Sequence, residues 1–142
     1  PPERRAFARA VVERAHRLGA KVLINDDADL ADTLGADGVH YRARSLMALS
    51  ARPARPLVAA SCHDATELAQ AMRLELDFVL LGPVKPTLSH PGAPTLGWPG
   101  FAALARGASL PVYAIGGMRE DDLEAARRHG AHGLAMITGS WS

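Results

Sequence analysis

The feature that most constrains this chain is a repeat of short, almost wholly apolar runs, each leading into a stretch of helical periodicity. Lys21-Val22-Leu23-Ile24 stops at Asn25-Asp26-Asp27. Leu57-Val58-Ala59-Ala60-Ser61, Asp77-Phe78-Val79-Leu80-Leu81, Pro111-Val112-Tyr113-Ala114-Ile115 and Gly133-Leu134-Ala135-Met136-Ile137 have the same character, and Gly38-Val39-His40 is a shorter example. Strands that do not alternate apolar with polar residues are buried on both faces, the condition inside a parallel sheet covered by helices. Parallel neighbours need long crossovers. The spacing predicts helices for them over 28–34, 44–50, 64–74, 98–106 and 119–129, with one more ahead of the first strand at 2–18.

Local signals agree with these boundaries. Pro2 and Glu3 suit a first helical turn, Phe7, Val11, Ala15 and Leu18 fall on one face, and Gly19 follows. Asp64 with Glu67 three residues on reads as a capping box. Leu34-Gly35-Ala36-Asp37-Gly38-Val39 and His129-Gly130-Ala131-His132-Gly133-Leu134 share one layout, in which the glycine predicts a left-handed helix cap. That recurrence is what a barrel of similar βα units would show.

Polar and glycine-rich residues gather just after the strands, at Asn25-Asp26, Ser61-Cys62-His63, Gly82-Pro83, Gly116-Gly117 and Thr138-Gly139. An open doubly wound sheet concentrates its site in one crevice, whereas a barrel draws on the carboxyl ends of many strands. No GxGxxG follows any strand, so a dinucleotide fold has little support. The expectation is an α/β chain forming one domain over 1–142, a (β/α)8 TIM barrel truncated to six βα units with the first two strands absent. A barrel opened in this way exposes two strand edges. A homo-oligomeric partner, a strand swap or a covalently attached segment is expected to cover them.

Composition narrows the function classes. Sixteen basic and fifteen acidic residues give a net charge of +1, without the basic stripe of a nucleic-acid binder. No apolar run reaches the length needed to cross a bilayer. The single cysteine, Cys62, allows no internal disulfide and no zinc spacing, which suits a reducing cytoplasm. A start at Pro1 suggests a fragment or a processed product.

Several groups offer chemistry. The carboxylate and amide of Asn25-Asp26-Asp27 suit Mg²⁺, although Asp27 also suits a helix cap. Gly116-Gly117 before a helix, with Ile137-Thr138 after the next strand, suits a phosphate, although paired glycines also serve tight turns. His63 suits an acid or base near neutral pH or a bonded loop residue, and Cys62 a nucleophile or a packed side chain. The 83–96 loop holds four prolines together with Thr87, Ser89 and His90, and reads as a lid, a binding loop or a stiff connector. Trp98 and Trp141 read as core or interface residues.

In this order the motifs resemble the thiamin phosphate synthase and TenI family along essentially the whole chain. The segments that carry the resemblance are Ile24-Asn25-Asp26-Asp27, Gly35-Ala36-Asp37-Gly38-Val39-His40, Ala60-Ser61-Cys62-His63, Gly82-Pro83-Val84-Lys85-Pro86-Thr87 and Ala114-Ile115-Gly116-Gly117-Met118. Pro86-Thr87-Leu88-Ser89-His90-Pro91-Gly92 and Met136-Ile137-Thr138-Gly139-Ser140-Trp141 resemble a subgroup fused behind a Nudix (MutT-like) hydrolase. The resemblance implies coupling of a pyrimidine methyl diphosphate to a thiazole phosphate with release of diphosphate. It implies Mg²⁺ on Asp26, diphosphate on Asn25, and a diphosphate and pyrimidine site lined by Ser61, Thr87 and Ser89. Gly117, beside Gly116, with Ile137 and Thr138 would hold the thiazole phosphate. In a TenI-like thiazole tautomerase His63 would shuttle a proton, and a third possibility is a non-catalytic thiamin-phosphate-binding domain serving a Nudix hydrolase. The chain departs from the pattern in three places. A Gln-x-Arg-x-Lys strand is absent, Tyr41-Arg42-Ala43-Arg44 stands where a second metal-binding Asp is expected, and His90 stands where a Lys is expected. The chain alone is therefore expected to be inactive, with transferase activity in a complete parent protein.

Overall fold

The computed structural model describes residues 1–137. Helix α1 (Pro2–Arg17) precedes β1 (Leu23–Asn25), and five further units follow: α2 (Ala28–Leu34) with β2 (Gly38–Tyr41), α3 (Ala43–Ala48) with β3 (Leu57–Cys62), α4 (Ala65–Arg73) with β4 (Phe78–Leu81), α5 (Gly97–Ala105) with β5 (Val112–Ile115), and α6 (Leu123–Arg128), entered through a 3₁₀ turn at Glu120–Asp122, with β6 (Gly133–Ala135). The six strands form one sheet in the order β1-β2-β3-β4-β5-β6, every pair parallel. Strand order that follows chain order without reversal, with right-handed crossovers, keeps the helices on one side. This is the arrangement of a (β/α)8 barrel and not of a doubly wound sheet. Among the described residues β1 and β6 each pair on one side only.

The main core lies between the sheet and helices α3 to α6, around Leu46, Val58, Val79, Leu81, Phe101 and Val112. A smaller cluster of Ile24, Leu30, Ala31 and Val39 joins the first two strands to α2. The apolar face expected of α1 is not its buried face. Phe7 and Leu18 are 72% and 73% exposed, whereas Val12, one position round from Val11, is 3% exposed. No helix among the described residues is long and apolar enough to cross a membrane.

A repeated device fastens the amino ends of the strands. Asp37 donates its backbone N–H to the Val22 carbonyl at 2.8 Å and accepts the Val22 N–H on its carboxylate at 2.7 Å. Asp77 makes the same exchange with Val58 at 2.9 and 2.7 Å. His132, in the matching place, keeps only the backbone half, to Val112 at 2.8 Å. Burial pushes the Asp77 carboxyl up, but the Arg52 guanidinium and the Val58 N–H outweigh it and hold the group below its ordinary value. The Val22 N–H, with His16 as a second donor, holds Asp37 low as well. A carboxylate whose folded value is depressed contributes stability above its unfolded value, and that stability is lost as pH falls through the folded one. The native state is therefore expected to weaken below about pH 4. The pair Asp37→Asn and Asp77→Asn should flatten that acid limb, as read from urea unfolding midpoints across pH.

Candidate functional site

The carboxyl ends of β3 to β6 surround a cavity of ≈230 Å³. Its lining includes Ser61 and His63 after β3, Thr87, Ser89 and His90 from the long loop, Gly116 and Gly117 after β5, and Ile137 after β6. Eight of the residues singled out in the sequence thus meet in one place. Thr138, Gly139 and Trp141 lie outside the described residues, so of the expected Ile137-Thr138 half of the phosphate loop only Ile137 is placed.

The long loop is tied down at both ends. Val84 and Lys85 donate to the carbonyls of Ile115 and Gly116 at 2.9 and 3.1 Å, and Leu96 donates to Pro83 at 2.8 Å. The Gly82–Pro83 peptide bond is cis. Lys85 reaches Asp122 at 2.7 Å, joining the loop to the turn before α6. Inside the loop Thr87 Oγ accepts the Ser89 N–H at 2.9 Å. The glycine pair has a packing reason of its own. Gly116 has φ +101°, and a Cβ there would stand 2.6 Å from the Pro83 Cα, while one on Gly117 would stand 2.8 Å from the Pro86 carbonyl. The turn and the loop approach as closely as they do because neither glycine carries a side chain.

Asn25 and Asp26 end β1 and do not line the cavity. Asn25 is joined to it by a residue that sequence reasoning treated only as part of a strand. His40 Nδ1 lies 2.9 Å from Asn25 Oδ1, and its Nε2 lies 3.0 Å from Ser61 Oγ. Burial pushes the His40 imidazole toward its neutral form, against the opposing pull of the Asp26 charge. A neutral ring carries one N–H, and the Asn25 oxygen only accepts, so Nδ1 donates to Asn25 and Nε2 accepts the Ser61 hydroxyl proton. The Asn25 amide N–H groups and the Ser61 lone pairs are left for a ligand. The signal available in the sequence was one polar side chain at the carboxyl end of a buried strand.

His63 is more open, with 53% of its side chain exposed. Glu67 Oε1 accepts both its backbone N–H, at 2.7 Å, and its ring Nδ1, at 2.9 Å. The expected cap at Asp64 is present, with Asp64 Oδ1 accepting the Glu67 N–H at 2.8 Å. Glu67, however, reaches back one residue further than a capping box requires and orients the histidine. A carboxylate-held imidazole at a cavity mouth is equipped for proton transfer. Cys62 is not equipped as a nucleophile, because it is 1% exposed and burial pushes its thiol up to about 12.

Asp27 caps α2 by accepting the Leu30 N–H at 2.9 Å, and it also holds Arg4. Asp26 has φ 56° and turns the other way. Its carboxylate accepts the Arg42 backbone N–H at 3.3 Å, the Arg42 Nε–H at 2.9 Å and the Ser45 hydroxyl at 2.7 Å. Burial pushes the Asp26 carboxyl up, and the Ser45 and Arg42 donors more than offset this. Among the described residues no group of three or more His, Cys, Asp or Glu side chains is placed to hold a metal. Mg²⁺ expected on Asp26 would meet one carboxylate already committed to a guanidinium and a hydroxyl, and these residues do not fit that ion.

Comparison with known proteins gives a consistent picture. A family model described as thiamine monophosphate synthase (TMP-TENI) matches residues 1–139. The chain is 38% identical over 137 residues to a putative thiamine-phosphate synthase of Geobacter sulfurreducens, covering 93% of this chain and 64% of that protein. It is 34% identical over 137 residues to the thiamine-phosphate synthase of Limosilactobacillus fermentum, covering 94% and 64%. The structure of a thiamine phosphate pyrophosphorylase from Pyrococcus furiosus superposes with a TM-score of 0.79 at 22% identity, over 96% of this chain and 67% of the other, a likeness of fold. The chain spans 64% of the length of the two sequence relatives.

Proposed function

Since this chain belongs to the thiamine monophosphate synthase family, we propose that it supplies the β1 to β6 side of a site that couples a pyrimidine methyl diphosphate to a thiazole phosphate. The observation that carries this reading is the relay Asn25–His40–Ser61, which links the end of β1 to a cavity lined by Thr87, Ser89 and the Gly116-Gly117 turn. In the reaction the C–O bond to diphosphate breaks with its electron pair, and the thiazole nitrogen forms a new C–N bond to the methylene carbon. Charge develops on the pyrimidine methylene and on the departing oxygens, so fixed donors and acceptors aimed at those atoms accelerate the step. Asn25 is assigned to the diphosphate through its amide N–H groups. Ser61 is assigned to a ring amino group or the developing cation through its lone pairs, with Thr87 and Ser89 beside it. Gly116, Gly117 and the backbone at Ile137 and Thr138 are assigned to the thiazole phosphate, and His90 to the rim of the loop. These residues bind and orient two small phosphorylated molecules. Mg²⁺ enters this reading only as a family expectation, because Asp26 is engaged elsewhere.

The transfer is proposed for a barrel completed by further strands, whether from a second copy of the chain, from strand exchange or from a longer protein with a Nudix domain upstream. The test is to assay the complete protein with both substrates and follow thiamin phosphate by chromatography. Ser61→Ala is expected to lower kcat/KM by about 100-fold. A folded protein that makes no product would overturn the reading. The Glu67-oriented His63 favours a second reading, proton transfer on a thiazole ring. Solvent deuterium entering the thiazole without any transfer, and lost in His63→Ala, would select it.

A further inference from the structure

The carboxyl end of β2 carries an arginine in an unusual setting. Asp26 lies in the left-handed region, which Asp tolerates better than most residues. Its side chain is 13% exposed, whereas that of Arg42 is 71% exposed. The largely covered carboxylate holds the arginine by its inner edge, through Nε–H and the backbone N–H, and Ser45 completes the cradle. The terminal amino groups of the guanidinium bond to no described residue. A guanidinium gripped at Nε presents the fork of its outer N–H groups in one orientation, the geometry that takes up phosphate oxygens in pairs. Arg42 stands two residues beyond His40, whose ring holds Asn25 and Ser61. Arg44 adds a second positive charge in the same segment.

A divalent cation on Asp26 would have to displace the guanidinium and the Ser45 hydroxyl together, and the neighbouring Asp27 carboxylate is engaged by the Leu30 N–H and Arg4. We propose that Arg42, cradled by Asp26 and Ser45, is the cation that receives a ligand's diphosphate at this rim, in the place a divalent metal would take, so that this chain binds phosphate groups without metal. The inference rests on the diphosphate reading given above and deepens it.

The test is an amide-resonance titration of the chain with inorganic diphosphate, once in EDTA and once in excess Mg²⁺. The expected result is movement of the Arg42, Ala43 and Arg44 resonances in EDTA, with an affinity that Mg²⁺ changes by less than about twofold and that Arg42→Ala weakens about tenfold. Arg42→Gln, which keeps the backbone N–H and most of the side-chain length, gives the same comparison if alanine disturbs the fold. Binding that requires Mg²⁺ and is indifferent to both substitutions would overturn the inference while leaving the diphosphate reading standing. Binding in neither medium would overturn both.

Discussion

Gly116→Ala is expected to lower the unfolding free energy by about 3 kcal/mol, the sum of a strained backbone and an overpacked contact. The backbone part arises because Gly116 sits at φ +101°, where an alanine Cβ is disfavoured. The packing part arises because that Cβ would stand 2.6 Å from Pro83 Cα and 2.9 Å from the Val84 nitrogen. Both neighbours are backbone, so neither has a flexible end that could swing aside. Relief requires the loop to lift away from β5, which breaks the hydrogen bonds that Val84 and Lys85 donate there. The loss should appear in a urea unfolding curve as a lower midpoint. The same lift should loosen Thr87 and Ser89, which share the cavity wall with the turn. An unfolding free energy within about 1 kcal/mol of the parent's would show that the turn accommodates a side chain.

Phe101→Ala should cost about 4 kcal/mol, for a different reason. Phe101 is fully buried in the main core, and its ring meets Trp98 edge-on at a centroid distance of 5.7 Å. Trp98 in turn stacks on His129 at 5.2 Å, so one aromatic column joins α5 to the end of α6. Removing the ring leaves a cavity that these neighbours fill only by giving up their own contacts. A fall in the thermal midpoint of roughly 10 °C is the expected reading. Near-parent stability would mean that α5 repacks freely, and the column would then not be a support of the fold.

The frame was largely legible in the chain. Unbroken apolar runs such as Phe78–Leu81 predict strands buried on both faces, and the structure places that one at the middle of a parallel sheet. Glycine after a helix predicts a left-handed cap, and Gly35 has φ 64° and ψ 33°. What periodicity could not tell is which face of α1 is covered. Phe7, Val11 and Leu18 share a stripe, yet the stripe is exposed and Val12 does the packing. A pattern of apolar residues shows that a face exists, and only the neighbours decide what lies against it.

The site was legible where its residues come as short motifs and obscure where they act through tertiary partners. Ser61, Thr87 and Gly116 were visible as strand-end and loop motifs. A single histidine in a buried strand, such as His40, resembles any packed polar side chain, and its role exists only when Asn25 and Ser61 stand on either side. Glu67 looked like half of a capping box, and its second acceptance, from the His63 ring, depends on how the strand end turns into α4. Arg42 looked like a missing carboxylate. That it instead neutralises Asp26, sixteen positions earlier in the chain, is a pairing that no local spacing announces.

The aspartate exchanges at Asp37 and Asp77 have a consequence for how such a chain can change over time. They bolt β2 to β1 and β4 to β3 at the end of the sheet away from the cavity, and they use no atom of any residue proposed to touch a ligand. Substitutions at the opposite end can therefore accumulate without loosening the bolts. The arginine standing after β2 and the histidine within the long loop are both of that kind. A scaffold fastened at one end leaves the other end free to be rewritten for a new ligand, one loop at a time.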